Sequence, residues 1–257
     1  MPTHYGRSRR SFLKKFAALS ALTASSLPAA VLAQQQKALL KKSVKTVSPN
    51  NRLQIATIGM GIIGFIDTVT ALSVPGVELV AAGDLYDGRL AHAKEVFGSH
   101  VVTTRNYLEI LEREDVDAVL ICTPDHWHAR IAIDALKAGK HVYCEKPMVQ
   151  DVVDGKKIVR AEQNSGCVLQ VGSQFVSSIV FEEARKQFAA GAIGELNMIE
   201  ARYNRNSAIG AWQYTIPSDA SPKTVDWEQF ISGTKRRPFD PVRFFRWRNY
   251  WDYGTGV

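Results

Sequence analysis

Cysteine is scarce in this chain: Cys122, Cys144 and Cys167 are the three in 257 residues. An odd count with no Cys-x-x-Cys pair excludes a disulfide framework and a cysteine-based zinc site. Each lies in or beside an apolar run, where a cysteine acts as a small buried hydrophobe. Long apolar runs are also missing. The best candidate, Phe16 to Leu32, has seventeen residues and is interrupted by Ser20, Thr23, Ser25, Ser26 and Pro28. A permanent membrane span needs about 20 strongly apolar residues. Acidic residues are absent from residues 1–52, which hold ten of the 32 Lys and Arg. The other 22 basic side chains stand against all 25 acidic ones, so the body from residue 53 carries −3 while the whole chain carries +7. An acidic body has no electrostatic basis for binding DNA or RNA, so no nucleic-acid partner is expected. With 46% hydrophobic and 22% charged residues, the chain is neither collagen-like nor disordered.

What the first residues do contain is an address. Ser8-Arg9-Arg10-Ser11-Phe12-Leu13-Lys14 precedes the apolar stretch, and Val31-Leu32-Ala33 offers small residues for cleavage before Gln34. The pattern resembles a Tat export signal over residues 1–33, which makes the Tat translocon an expected transient partner and the periplasm the expected location. Residues 34–51 are polar and basic without a sustained period and read as a linker.

From residue 52 the chain alternates apolar Val/Ile-rich runs with stretches of helical period. The strands are expected at Leu53–Ile58, Val77–Ala82, Val101–Thr103, Ala118–Cys122, His141–Cys144 and Val168–Val171. The helices are expected at Ile62–Leu72, Arg89–Phe97, Tyr107–Leu111, His128–Ala138 and Val152–Asn164. Single helices between near-continuous apolar strands predict βαβ units: an α/β fold with a doubly wound parallel sheet covered on both faces, over residues 52–174. After Gln174 the pattern changes to a helix near Val176–Ala190, an alternating strand at Leu196–Arg205 and an irregular aromatic segment. Residues 175–257 are therefore expected to begin a second, incomplete α+β domain with a mainly antiparallel sheet.

Gly59-Met60-Gly61-Ile62-Ile63-Gly64 follows the first strand and opens the first helix. In that context the glycines permit a tight turn, let backbone approach a pyrophosphate, and let the helix pack on the sheet. The helix N-terminus then offers free N–H groups to the anion. Asp84 ends the second strand, twenty residues beyond Gly64, where a carboxylate accepts ribose hydroxyls and repels a 2′-phosphate. This favours NAD over NADP, although Arg89, five residues on, moderates the repulsion.

Thr123-Pro124-Asp125-His126-Trp127-His128 follows the fourth strand and Glu145-Lys146-Pro147 the fifth, so both lie at the carboxyl edge where such sheets bind ligands. A lysine there can orient a substrate hydroxyl and take or give the proton that accompanies hydride transfer; alone, it would read as a solvated loop lysine. His126 and His128 form an HxH pair with no third ligand in view, so no metal is expected. His128 is expected to cap the next helix or to line the cofactor pocket. From Arg236 to Tyr253 arginines alternate with aromatics. Packing of an irregular loop on the second domain, contact with a sugar ring, and base stacking are the three readings, in that order.

Together these residues resemble the glucose–fructose oxidoreductase / inositol dehydrogenase (Gfo/Idh/MocA) family over roughly residues 53–257. The resemblance rests on Gly59–Gly64, on Thr123-Pro124 with His128, on the run from Ala138 to Pro147, and on Gly172-Ser173-Gln174. Asp226-Trp227-Glu228 and the segment from Trp247 to Gly256 look like an exported subset of that family. The resemblance implies a Rossmann domain followed by an open-faced sheet domain, with NAD(P)-dependent chemistry on a sugar or cyclitol hydroxyl. It implies Lys146 as catalytic lysine, Thr123, Pro124, His128 and Glu145 at the nicotinamide end, and a homo-oligomer when full length. Gln174, Trp247 and Trp251 are the candidate substrate contacts. In the family a carboxylate and a histidine that complete the proton relay lie beyond the Gly-Thr-Gly segment. This chain stops at Val257, so it reads as C-terminally truncated.

Export limits the mechanism, because a cofactor released outside the cytoplasm is lost. The leading expectation is a sugar oxidoreductase with a retained cofactor. The alternatives are an exported NAD-dependent glycosidase working by oxidation, elimination and reduction, and a non-catalytic dinucleotide- or sugar-binding protein.

Overall fold

A computed structural model of the chain describes residues 48, 52–202, 208 and 210–256. The expected export signal and, apart from Ser48, the linker lie outside the described residues.

Six parallel strands form one sheet in the order β3-β2-β1-β4-β5-β6. They are β1 (Leu53–Ile58), β2 (Val77–Gly83), β3 (Val102–Thr104), β4 (Ala118–Ile121), β5 (His141–Glu145) and β6 (Leu169–Gly172). Helices α1 (Ile62–Leu72), α2 (Asp87–Phe97), α3 (Tyr107–Leu111), α4 (Asp125–Lys137) and α5 (Val152–Ser165) connect them. The order reverses at β1, so the crevice between β1 and β4 opens at the carboxyl ends of the strands. This is the doubly wound Rossmann arrangement.

Each face of the sheet carries its own core. Ala56, Ile58, Val119, Ile121 and Val142 point to one side and meet Ile110, Trp127, Ile131 and Ile158 from α3, α4 and α5. Ile55, Leu79 and Leu120 point to the other and meet Phe65, Ala93 and Val96 from α1 and α2. The alternation within β1 and β4 follows the period of two of a strand. Each buried Val, Leu, Ile or Phe among them contributes roughly 1.5–3 kcal/mol relative to exposure. Two buried hydroxyls lock α1 to the sheet: Thr57 Oγ1 and Thr68 Oγ1 are 2.7 Å apart, and Thr68 donates to Gly64 O at 2.6 Å. All three cysteines are free; Cys144 is buried, Cys122 and Cys167 half-buried.

Beyond Gly172 the observed chain departs from expectation. Helix α6 (Ile179–Ala189) forms, but it buries no residue, and residues 174–202 are exposed almost throughout. No strand forms at 196–202, and residues 203–205 of that expected strand lie outside the described residues. A strand needs a neighbour for its N–H and C=O groups, and none of the described residues supplies one here. The expected antiparallel sheet is accordingly absent among the described residues.

Residues 211–256 instead fold back on the Rossmann edge. They contribute α7 (Trp227–Phe230), α8 (Pro241–Phe245) and a 3₁₀ turn (Trp247–Asn249). Val225, Trp227, Phe230, Phe244, Phe245 and Tyr253 build a third core with Tyr86 of the β2–α2 turn. Asp226 N–H donates to Leu85 O at 2.8 Å, and Arg105 Nη2 donates to Lys223 O at 2.8 Å. The aromatic–basic stretch is thus an irregular packed loop, as the first of its three readings expected, but on a different platform. Its platform is the Rossmann domain itself, not a separate second domain. The reason is that Tyr86 and the strand ends present the nearest apolar surface in need of cover.

Candidate functional site

The three glycines of the first turn have separate duties. Gly59 has φ +96, and a Cβ there would lie 2.6 Å from the Cys122 carbonyl carbon. A Cβ on Gly64 would lie 1.9 Å from Gly59 O, so only glycine lets α1 close on the turn. A Cβ on Gly61 would meet nothing within 4 Å. Gly61 caps α1 without a side-chain hydrogen bond, and the first turn of the helix holds no acid. Its backbone therefore borders open space at a positive helix end, as an anionic ligand requires.

That space is a cleft of about 630 Å³. Gly59, Gly61, Ile62, Ile63, Asp84, Thr123 and Pro124 line it from the Rossmann side, and Phe244, Phe245, Trp247 and Arg248 from the C-terminal segment. Asp84 accepts from Met60 N–H at 2.8 Å through Oδ2 and from Tyr86 N–H at 2.9 Å through Oδ1. Each carboxylate oxygen has a second lone-pair site, which leaves capacity for a ribose hydroxyl. Arg89 Nη1 stands 3.5 Å from both oxygens, and its guanidinium lies over Phe245 and Phe244 at 5.5 and 5.8 Å. Thr123 Oγ1 is buried without a protein partner at the cleft wall. A buried hydroxyl normally has one, so a ligand atom fits there. The bare Gly61 backbone, the Asp84 lone pairs and the Thr123 hydroxyl together fit a dinucleotide.

Other expected site residues sit elsewhere. Met60 is in the core beneath the turn, and Gly64 is buried behind it. His128, expected to cap the next helix or to line the cofactor pocket, is not among the residues lining the cleft. It is 1% exposed, with Nδ1 2.6 Å from Pro147 O and Nε2 2.9 Å from Thr123 O. Its backbone partners hold it behind the two turns rather than in the cleft. His126 Nε2 contacts Phe230 O at 2.8 Å, so the HxH pair is spent on backbone carbonyls. Glu145 is buried and likewise not among the residues lining the cleft. Its carboxyl lies 3.4 Å from Tyr143 OH, and a Cβ on Gly172 would come within 2.5 Å of it. That close approach explains the glycine of Gly172-Ser173-Gln174. Lys146 is exposed at the end of β5, and Gln174 is exposed beyond β6; neither lines the cleft. Trp247 lines it, whereas Trp251 projects outward at 79% exposure.

Burial raises the pKa of Glu145, Asp67 adds to the rise, and Lys146 opposes it. Burial raises Asp67 as well, against a Cys122 Sγ hydrogen bond at 3.4 Å. Tyr143, between these acids, is pushed up to about 12 by burial first and Asp67 next. Asp67 escaped sequence reasoning, although its place three residues after Gly64 puts it on the same helix face. Phe244, Phe245 and Arg248 escaped as cleft residues because they reach it through tertiary packing alone.

Residues 53–173 match the oxidoreductase family with an NAD-binding Rossmann fold, GFO_IDH_MocA. That match covers the Rossmann part of the chain and leaves residues 174–257 outside it. An inositol 2-dehydrogenase of Salmonella typhimurium is 28% identical over 176 residues, covering 67% of this chain and 50% of the relative. A glycosyl hydrolase family 109 protein of Shewanella sp. (strain MR-4) is 31% identical over 243 residues, covering 86% of this chain and 50% of the relative. The myo-inositol 2-dehydrogenase structure from Lactobacillus plantarum superposes with a TM-score of 0.53 at 29% identity, over 56% of this chain and 43% of that one. The chain spans about half the length of the curated relatives it matches.

Proposed function

We propose that this protein is an NAD-dependent oxidoreductase acting on a sugar or cyclitol hydroxyl by hydride transfer. The observation that carries the reading is the single cleft in which Gly61 backbone, Asp84 and the unpartnered Thr123 hydroxyl converge. The nicotinamide ring, when bound, supplies hydride acceptance and return. The chain's own residues do the rest. The α1 N-terminus holds the pyrophosphate, Asp84 accepts the ribose hydroxyls, and Thr123 donates or accepts at the wall. Lys146, at the end of β5, moves the hydroxyl proton at Nζ. Trp247 on the cleft wall and Trp251 and Gln174 outside it are the proposed substrate contacts. The substrate is a neutral polyol: the dehydrogenase relatives are named for inositol, and no nucleic acid suits an acidic body.

The N-terminal segment directs the folded protein through the Tat translocon to the periplasm, with the cofactor already bound and retained. A full-length homo-oligomer completes the proposal. Titration of the purified protein with NADH, followed by a screen of inositols and sugars against nicotinamide absorbance, tests the reading. Saturable binding and turnover that Lys146→Ala abolishes support it; absence of any dinucleotide binding overturns it. Protein isolated from the periplasm should carry nicotinamide.

A second reading is favoured by the family 109 relative, whose match covers 86% of this chain. On that reading the protein is an exported glycosidase that uses NAD without net redox change. Release of sugar from a glycoside with no accumulation of NADH would select it over the dehydrogenase.

A further inference from the structure

His128 is a polar ring in a buried position. It lies on α4, is 1% exposed, and has burial as the first influence on its charge. A buried imidazole must have its polar atoms met by partners. Its partners are two backbone carbonyls from the two turns that frame the proposed catalytic edge. Thr123 O belongs to the turn after β4, which lines the cleft. Pro147 O belongs to the turn after β5, one residue beyond Lys146.

A neutral imidazole has one N–H. Both ring nitrogens face carbonyl oxygens, Pro147 O at 2.6 Å and Thr123 O at 2.9 Å, so a neutral ring donates to only one of them; the shorter contact assigns the hydrogen to Nδ1 and leaves Nε2 beside Thr123 O without a hydrogen bond. The Pro147 nitrogen has no hydrogen to offer, so this turn is poor in backbone anchors. Just past it Met148 and Val149 pack on the core, while Lys146 faces solvent. The charged groups that act on the ring are Asp125 and Arg248, with His126 adjacent. Asp125 Oδ2 is engaged by Thr255 at 3.0 Å through N–H and hydroxyl. The Pro147 carbonyl contact is therefore the polar tie between α4 and the lysine turn.

We propose that His128 is the positioning residue of Lys146, holding the Lys146–Pro147 turn against α4 by donating from Nδ1 to the Pro147 carbonyl. This rests on the reading of Lys146 given above. It differs from a packing role in a testable way. The amide nitrogen of an asparagine occupies the place of imidazole Nδ1, and that of a glutamine the place of Nε2. His128→Asn keeps the donor to Pro147 O, and His128→Gln loses it.

The test uses the full chain with its lysines ¹³C-dimethylated and read by NMR. The Lys146 resonance is identified by its disappearance in Lys146→Arg. It is expected to stay in place in His128→Asn and to move by more than its linewidth in His128→Gln. An unmoved resonance in His128→Gln, or equal displacement in both variants, overturns the proposal. Should either variant fail to fold, the wild-type imidazole answers by itself. A ¹⁵N spectrum with the proton on Nδ1 and coupling to the Pro147 carbonyl carbon supports the tie; a bare Nδ1 overturns it. Failure of the wider reading is separate: it shows as turnover unchanged in Lys146→Ala, whatever the resonance does.

Discussion

Thr255 donates both its backbone N–H and its hydroxyl to one oxygen of Asp125, at 3.0 Å each, across 130 residues of chain. Beside it, His126 N–H reaches Tyr253 O at 3.3 Å, and Gln150 Nε2 reaches Trp251 O at 2.9 Å. The last described residues are thereby fastened to the turns after β4 and β5, and with them the cleft wall that holds Trp247 and Arg248. A charge-assisted hydrogen bond of this kind is worth about 1.5–3 kcal/mol. Asp125→Ala should lower stability by that order in denaturant titration, and tryptophan emission should report release of the segment first.

The glycine turn allows fold and binding to be separated by two alanines. Gly59→Ala forces a positive φ on a side chain and drives Cβ into the Cys122 backbone. It should cost roughly 1–3 kcal/mol and lower the thermal midpoint. Gly61→Ala meets no protein atom, so the midpoint should hold. Its methyl group projects instead where the pyrophosphate approaches, and NADH affinity should fall about tenfold or more, equivalent to about 1.4 kcal/mol. A normal affinity in Gly61→Ala would place the dinucleotide elsewhere.

Asp84 anchors the turn as well as facing the ribose. Removing its carboxylate in Asp84→Ala leaves the buried Met60 N–H without an acceptor, a loss of about 1–3 kcal/mol. Asp84→Asn keeps an acceptor for one amide and removes the charge that opposes a 2′-phosphate. The Asn variant should bind NADPH better relative to NADH than the wild type does, as measured by fluorescence titration.

Stability should respond to pH from two directions. Burial lowers the pKa of His126 and His128 below the ordinary imidazole value. Below about 6.5 the unfolded chain then binds more protons, and stability falls as pH drops through the folded values. Burial raises Asp67 and Glu145, so the folded chain binds more protons above the ordinary carboxyl range, and stability falls as pH rises through their folded values. Asp67→Asn removes part of the second effect. Calorimetry should show its midpoint above that of the wild type at pH 7 and the difference shrinking toward pH 4. A difference constant with pH would assign the effect to packing.

The six strands and five connecting helices were legible from residue 53 to Gly172 because their pattern is local. Apolar runs in Ile55–Ile58 and Ala118–Ile121 are read at a period of two, and Gly98, Gly139 and Gly166 close their elements as positive-φ residues. Gly59 to Gly64 and Asp84 were legible for the same reason: the turn places them within one βαβ unit. Leu196 and its neighbours show the limit of that logic. Their alternation suits a strand, but a strand exists only with a hydrogen-bonded neighbour, and local pattern does not supply one.

The rest of the cleft lining was beyond any local pattern. His128 and Glu145 each stand one residue from a cleft or exposed position, Trp127 and Lys146, yet both are buried, His128 between the carbonyls of Thr123 and Pro147 and Glu145 beside Tyr143. Arg248, Phe244 and Phe245 reached the cleft from the opposite end of the chain. Periodicity dictates secondary structure through backbone sterics within a few residues. Membership of a site depends on contacts between segments more than 100 residues apart, whose free energies are settled together when the core closes.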